Sequence, residues 1–170
     1  MCRTLLMRLL FTLLFCLAIA VPALAQPATP GDPIPAIVLR ISGGDTIVVR
    51  ANRKKVKIRL YGIDAPELNQ PGGVEAKEAL RHLRWETVTI SKMGTDRYNQ
   101  TVAIVTYMGQ CINLALVANG HAWFYPKYCT APWICGQIKL AEAKAKAEDI
   151  GLWADENPVP PWEWRKKQRR

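Results

Sequence analysis

Three short runs of β-branched residues, set close together, constrain this chain most. Ile37–Ser42, Thr46–Arg50 and Lys54–Tyr61 are parted by Gly43-Gly44 and by Ala51-Asn52-Arg53. Such runs with turn residues between them predict strands of an antiparallel meander. In the third run Val56, Ile58 and Leu60 alternate with Lys57, Arg59 and Tyr61. The period of two predicts one apolar face and one face carrying cations and a tyrosine.

The rest of the chain extends this pattern. Gly62–Gly73 reads as a loop, and Glu75–Trp85 as a helix with Ala76, Leu80 and Leu83 on one side. Glu86–Lys92 and Thr101–Met108 read as two further strands, joined by the polar stretch Gly94–Gln100. Ile112–Asn119 is a short apolar helix that Gly120 is placed to cap. Gln137–Ile150, rich in Ala and Lys, is a good helix former that Gly151 ends. Five short strands, a helix after the third and helices at the end predict an α+β, mostly β fold. The expected form is a five-stranded barrel of the oligonucleotide/oligosaccharide-binding (OB-fold) type with about three helices. The expected limits are a flexible leader at 26–36, the barrel domain at 37–156 and a Pro/Trp-rich basic tail at 157–170. Asn157–Pro161 is expected to stop regular structure. Arg165–Arg170, with five basic residues in six, is expected to be a mobile end.

A length of 170 residues fits one domain, and no repeat or heptad run points to a solenoid or a coiled coil. With 49% hydrophobic and 22% charged residues the composition excludes wholesale disorder. Arg3 and Arg8, the apolar run Leu9–Val21 and then Ala23-Leu24-Ala25 form a signal-peptide pattern over 1–25, with cleavage expected before Gln26. The run is 13 residues, short of the roughly 20 that cross a bilayer. Phe15 before Cys16 lacks the small-residue context of a lipidated cysteine. The expected product is secreted or periplasmic, with no stable membrane anchor, and monomeric.

Removing Arg3 and Arg8 leaves 21 basic against 14 acidic groups, a charge of +7, which attracts polyanions. Export makes disulfides plausible. Cys129 and Cys135 flank a five-residue connection and are the favoured pair, whereas Cys111 opens an apolar stretch and reads as a buried thiol. No His joins these cysteines at zinc spacing.

Chemistry concentrates in Gly44-Asp45-Thr46 and in Arg59-Leu60-Tyr61-Gly62-Ile63-Asp64-Ala65-Pro66-Glu67. Hard oxygen ligands suit Ca²⁺ or Mg²⁺, and an arginine fork suits a phosphate. Asp45 and Asp64 would hold a divalent cation, with the carbonyl of Ala65 as a third ligand. Glu67 would take a proton from water, and Arg59 would balance charge on phosphorus. The plainer alternative is an ordinary hairpin turn, an ordinary loop and a solvated arginine.

Those two segments, with Glu75-Ala76, Thr95-Asp96-Arg97-Tyr98, Ala115-Leu116-Val117 with Gly120, and Gly151-Leu152-Trp153, occur in an order that resembles the staphylococcal nuclease (thermonuclease) family. The resemblance implies a five-stranded barrel with three helices. It implies calcium-dependent hydrolysis of DNA and RNA, preferably single-stranded, to 3′-phosphorylated products. By the same resemblance Asp45, Asp64 and the Ala65 carbonyl are calcium ligands, Glu67 is the general base and Arg59 a phosphate-binding arginine. Arg97 and Tyr98 correspond to a pair that contacts a terminal phosphate.

Two positions depart from the family pattern. Gln100 stands where a second catalytic arginine is expected, and Gly43 where an acidic residue often precedes Gly-Asp-Thr. A neutral amide cannot present a cationic fork, so a rate loss of roughly 10²–10⁵-fold is expected, with a large gain on Gln100→Arg. The rival function is an exported OB-fold protein that binds nucleic acid with impaired cleavage. A weaker one, resting on charge and export alone, is a module for anionic envelope polymers. His82 and His121 read as structural or surface groups, and most of the six tryptophans as packing residues.

Overall fold

The computed structural model describes residues 29–169; the signal-peptide and Cys16 expectations lie outside them. Among the described residues eight strands form: β1 (Ile34–Gly43), β2 (Thr46–Ala51), β3 (Lys54–Leu60), β4 (Ile63–Asp64), β5 (Thr87–Thr95), β6 (Thr101–Tyr107), β7 (Gln110–Cys111) and β8 (Trp123–Phe124). Neighbours run β3-β2-β1-β5-β6 and are antiparallel throughout. A parallel pairing of Ile58–Leu60 with Thr101–Ala103 joins the two ends and closes the barrel. Closure leaves these five strands without a free pairing edge over that stretch. The short β7 folds back on β6, and β4 pairs with β8 as a separate ribbon.

Alternation decides which side chains fill the barrel. Ile47, Val49, Ile58 and Leu60 point inward and are almost fully buried, beside Val38, Val88, Ile90 and Val105. Arg50, Lys55 and Lys57 stay exposed on the opposite side. Tyr61 departs from the sequence expectation of an outward tyrosine. It is buried, and its hydroxyl accepts the backbone N–H groups of Thr130 and Ala131 at 2.6 and 2.9 Å. The loop it holds carries the expected Cys129–Cys135 disulfide, whose Cα atoms are 5.7 Å apart.

The helices are α1 (Gly73–Ala79), α2 (Ile112–Ala118), α3 (Pro132–Ala147) and α4 (Pro161–Lys167). The first is shorter than its expected span. Leu80 and Leu83 are both buried, and a 3₁₀ turn over Arg81–Leu83 brings them inward at their three-residue spacing. Conversely, α3 begins before Gln137, because Pro132 needs no amide partner in the first turn. Gly120 caps α2 at φ 63°, and an added Cβ there would lie 2.0 Å from the Ile150 oxygen. The α2 helix is stapled to the barrel by Asn113, which is fully buried. Its Oδ1 accepts from the Val105 N–H at 3.0 Å, and its Nδ2 donates to the carbonyls of Tyr61 and Ala103.

Both ends of the described stretch are more ordered than their composition suggests. The leader joins the sheet from Ile34, which pairs with Ile90. At the other end Pro161–Lys167 forms α4, so the expectation of a mobile end from Arg165 is corrected for those residues. A second apolar cluster of Trp123, Ala145 and Trp153, extended by Ile150, Leu152 and Trp162, holds that helix down. Among the described residues no helix is long and apolar enough to cross a membrane.

Candidate active site

The β2–β3 register starts the site. Thr46 pairs with Arg59, and the Leu60 N–H donates to the Asp45 carbonyl at 2.8 Å. Asp45, at the head of β2, is thereby set beside Arg59 near the end of β3. The preceding turn is pressed from two sides. A Cβ on Gly44 would lie 2.6 Å from Ala76 Cβ in α1 and 2.7 Å from Ala65 Cβ, so only glycine fits. Asp64 arrives from the other ribbon, where β4 pairs it with Trp123.

These groups meet in a chain of alternating charge. Arg59 Nη2 lies 3.0 Å from Asp45 Oδ2 and 2.6 Å from Asp64 Oδ1. Asp45 also accepts the Thr46 hydroxyl at 2.7 Å and the Ala65 N–H at 3.4 Å. Beyond Asp64 the chain continues into a residue that sequence reasoning left in the tail. Arg165 Nη2 donates to Asp64 Oδ2 at 2.6 Å, while its Nη1 donates to Asp64 Oδ1 at 3.2 Å and to Glu67 Oε1 at 2.8 Å. Three carboxylates are therefore interleaved with two guanidiniums. Asp64 is wholly buried, and burial pushes its carboxyl above the ordinary range against the pull of Arg165 and Arg59. The acidic partners raise both guanidiniums despite their partial burial, so both stay charged.

The network opens into a cleft of about 440 Å³. Its walls carry Arg59, Glu67 and Arg165, with Arg97, Tyr98, Tyr125, Lys127 and Tyr128. Arg97 lies over the Tyr98 ring, 4.7 Å from its centroid. Tyr125 and Tyr128 meet edge-on at 4.9 Å, so the loop after β8 supplies an aromatic surface. Gln100 is placed differently. Asp96 caps the β5–β6 turn by accepting the N–H groups of Tyr98 and Gln100, and the Gln100 amide donates to Asp96 Oδ2 at 3.2 Å. Gln100 is not among the cleft-lining residues.

A hard divalent cation is compatible with the donors present. Asp45 and Asp64 are buried carboxylates whose oxygens both reach one nitrogen of Arg59, and Ala65 is buried beside them. Oxygen donors of this type suit calcium. Among the described residues no three His, Cys, Asp or Glu side chains gather closely enough to hold a metal, so the protein would offer a carboxylate pair rather than a cage. Neither histidine enters the site. His82 packs against Tyr107 at 5.9 Å, and burial lowers the pKa of His121 away from the cleft. The Cys111 thiol is half-buried at the start of α2, and burial raises it out of the reactive range.

The chain is similar in sequence to known proteins. Residues 57–155 match the family model described as staphylococcal nuclease homologue. An uncharacterized endonuclease of Haemophilus influenzae is 42% identical over 135 residues, covering 78% of this chain and 73% of the relative. One from Escherichia coli O157:H7 is 37% identical over 133 residues, covering 77% and 84%. A micrococcal nuclease of Shigella flexneri is 36% identical over 142 residues, covering 78% and 80%. A closed five-stranded barrel, two acidic turns meeting at an arginine and a family match over more than half the chain converge: the protein belongs to the staphylococcal nuclease family.

Proposed function

We propose that the protein is a calcium-dependent, sugar-nonspecific endonuclease that hydrolyses DNA and RNA phosphodiesters to 3′-phosphorylated products. The carrying observation is the buried run Asp45–Arg59–Asp64, continued through Arg165 to Glu67, whose Arg59, Arg165 and Glu67 line a cationic and aromatic cleft. A domain that only binds nucleic acid has no need of three carboxylates there, since they repel phosphate. The names of the relatives favour the same activity.

Asp45, Asp64 and the Ala65 carbonyl are the residues that would hold calcium. When bound, that ion supplies Lewis-acid polarisation of a phosphate oxygen. The remaining roles belong to side chains. Glu67, half-exposed at the cleft, takes the proton of the attacking water. Arg59, rigid on two carboxylates, presents its free N–H groups to the phosphate and balances charge gathering on phosphorus. Arg97 and Tyr98 hold a terminal phosphate, while Tyr125 and Tyr128 offer faces for unstacked bases, which favours single strands. The Cys129–Cys135 disulfide is in keeping with export to an oxidising compartment.

The test is cleavage of single-stranded DNA with calcium or with chelator, by the protein and by Glu67→Gln. Cleavage is expected to need both calcium and Glu67. Cleavage indifferent to both would overturn the mechanism, and salt-sensitive binding without cleavage would establish the rival nucleic-acid-binding function.

A further inference from the structure

Arg165 lies 101 residues from Asp64 in sequence, yet its fork spans both Asp64 oxygens and reaches Glu67. The helix that carries it has seven residues, too few to be stable in isolation. Packing therefore sets its position. Pro161 is buried, the Trp162 ring lies flat on Tyr125, and Gln70 Nε2 donates to the Val159 carbonyl at 2.6 Å. Trp164 Nε1 donates to Asn69 Oδ1 at 3.4 Å. Residues 69 and 70 belong to the loop that follows Glu67, so one segment fixes both the carboxylate and the arginine.

Charge balance shows what the arginine does there. Within this carboxylate chain Asp45, Asp64 and Glu67 carry three negative charges against the single positive charge of Arg59. A second guanidinium halves the excess negative charge. The Arg165 side chain also stays open to the cleft to the same degree as Arg59, 29% for each. A guanidinium has five N–H donors, and Arg165 commits three contacts to carboxylates, so donors remain for a ligand.

We propose that Arg165 is the second phosphate-binding guanidinium of this site, contacting the scissile phosphate beside Arg59, with which it shares Asp64 Oδ1. It supplies from the C-terminal helix the charge that Gln100 does not. This assignment rests on the endonuclease reading. The competing role is a plug, in which Arg165 occupies the carboxylates and keeps substrate out. Arg59 makes the same kind of carboxylate contact in the same cleft, so such pairing does not by itself mark a plug.

The test compares the full chain with Arg165→Ala and Arg165→Lys, each checked for native near-UV circular dichroism. With calcium, kcat/KM on single-stranded DNA is expected to fall about 10²–10⁵-fold in Arg165→Ala. Arg165→Lys is expected to fall less, since it keeps the charge and loses the fork. In chelator, affinity for a short single-stranded oligonucleotide is expected to weaken in Arg165→Ala, and the log-log salt slope to shrink by about 0.7. Faster cleavage or tighter binding in Arg165→Ala would establish the plug and overturn the assignment. An unchanged kcat/KM and salt slope would reduce Arg165 to a structural residue. Should Arg165→Ala misfold, Arg165→Lys decides: wild-type kcat/KM overturns the assignment, and a loss at retained salt slope supports it. If the parent protein cleaves nothing with or without calcium, the endonuclease reading fails, and the salt slope alone decides whether Arg165 meets phosphate.

Discussion

The indole of Trp162 lies against the phenol of Tyr125 with ring centroids 5.0 Å apart and planes 3° from parallel. Tyr125 lines the cleft and Trp162 lies in the first turn of the helix that holds Arg165, so one stacked pair couples the C-terminal segment to the site. Trp162 also meets Trp123 edge-on at 5.8 Å. Trp162→Ala is expected to lose the stacking, about 0.5–1.5 kcal/mol beyond its buried area. It is also expected to lower cleavage in the direction of Arg165→Ala, with Trp162→Phe between. Thermal melts and cleavage rates check this, and full activity in Trp162→Ala would show that α4 needs no latch.

Asn113 is expected to matter for stability and not for chemistry. It pairs with the Val105 N–H and with the carbonyls of Tyr61 and Ala103, where α2 meets the closing strands. Asn113→Ala leaves three buried backbone groups without that partner. A loss of roughly 1–3 kcal/mol is expected in urea unfolding, from desolvation of groups left unpaired.

The disulfide loop offers a second stability test. Reducing Cys129–Cys135 is expected to cost about 2 kcal/mol, since the closed loop is small and the entropic effect correspondingly modest. Tyr61→Phe in the oxidised protein deprives the Thr130 and Ala131 N–H groups of their acceptor and is expected to cost roughly 1–3 kcal/mol. Lys127 and Tyr128 precede Cys129 on the cleft wall, so either change is expected to weaken oligonucleotide binding as well. Anisotropy titrations at fixed salt measure that effect.

Position 100 reverses an expectation. From sequence, Gln100→Arg should restore a lost guanidinium and raise the rate strongly. In the structure the Gln100 amide is turned onto Asp96, and Arg165 already stands beside Asp64 and Glu67. Gln100→Arg is therefore expected to gain far less than the roughly 10³–10⁵-fold that an arginine finger can contribute. Steady-state cleavage rates of the two proteins decide, and a gain of that full size would show that residue 100 reaches the phosphate.

What sequence alone determined is local. Alternation marked β1, β2, β3, β5 and β6 because a period of two is written in consecutive residues. Asp45 and Glu67 were legible because each directly follows a Gly or Pro, Asp64 because it lies between Gly62 and Pro66, and Arg59 because it lies on the polar side of an alternating strand. That Asp45 and Arg59 touch depends on the Thr46–Arg59 register, which the meander made foreseeable. Tertiary structure alone decided the rest. The two-residue strands β4 and β8 have no period to read and exist only as each other's partners. Asn113 looked like one polar residue in an apolar helix until barrel closure brought three backbone groups to it. Arg165 sits among solvated-looking cations after a run of prolines, where composition points to a loose end. Its place at Asp64 follows from Trp162 docking on Tyr125 and on the Trp123–Trp153 cluster, a burial spread over three separate segments that no local pattern records.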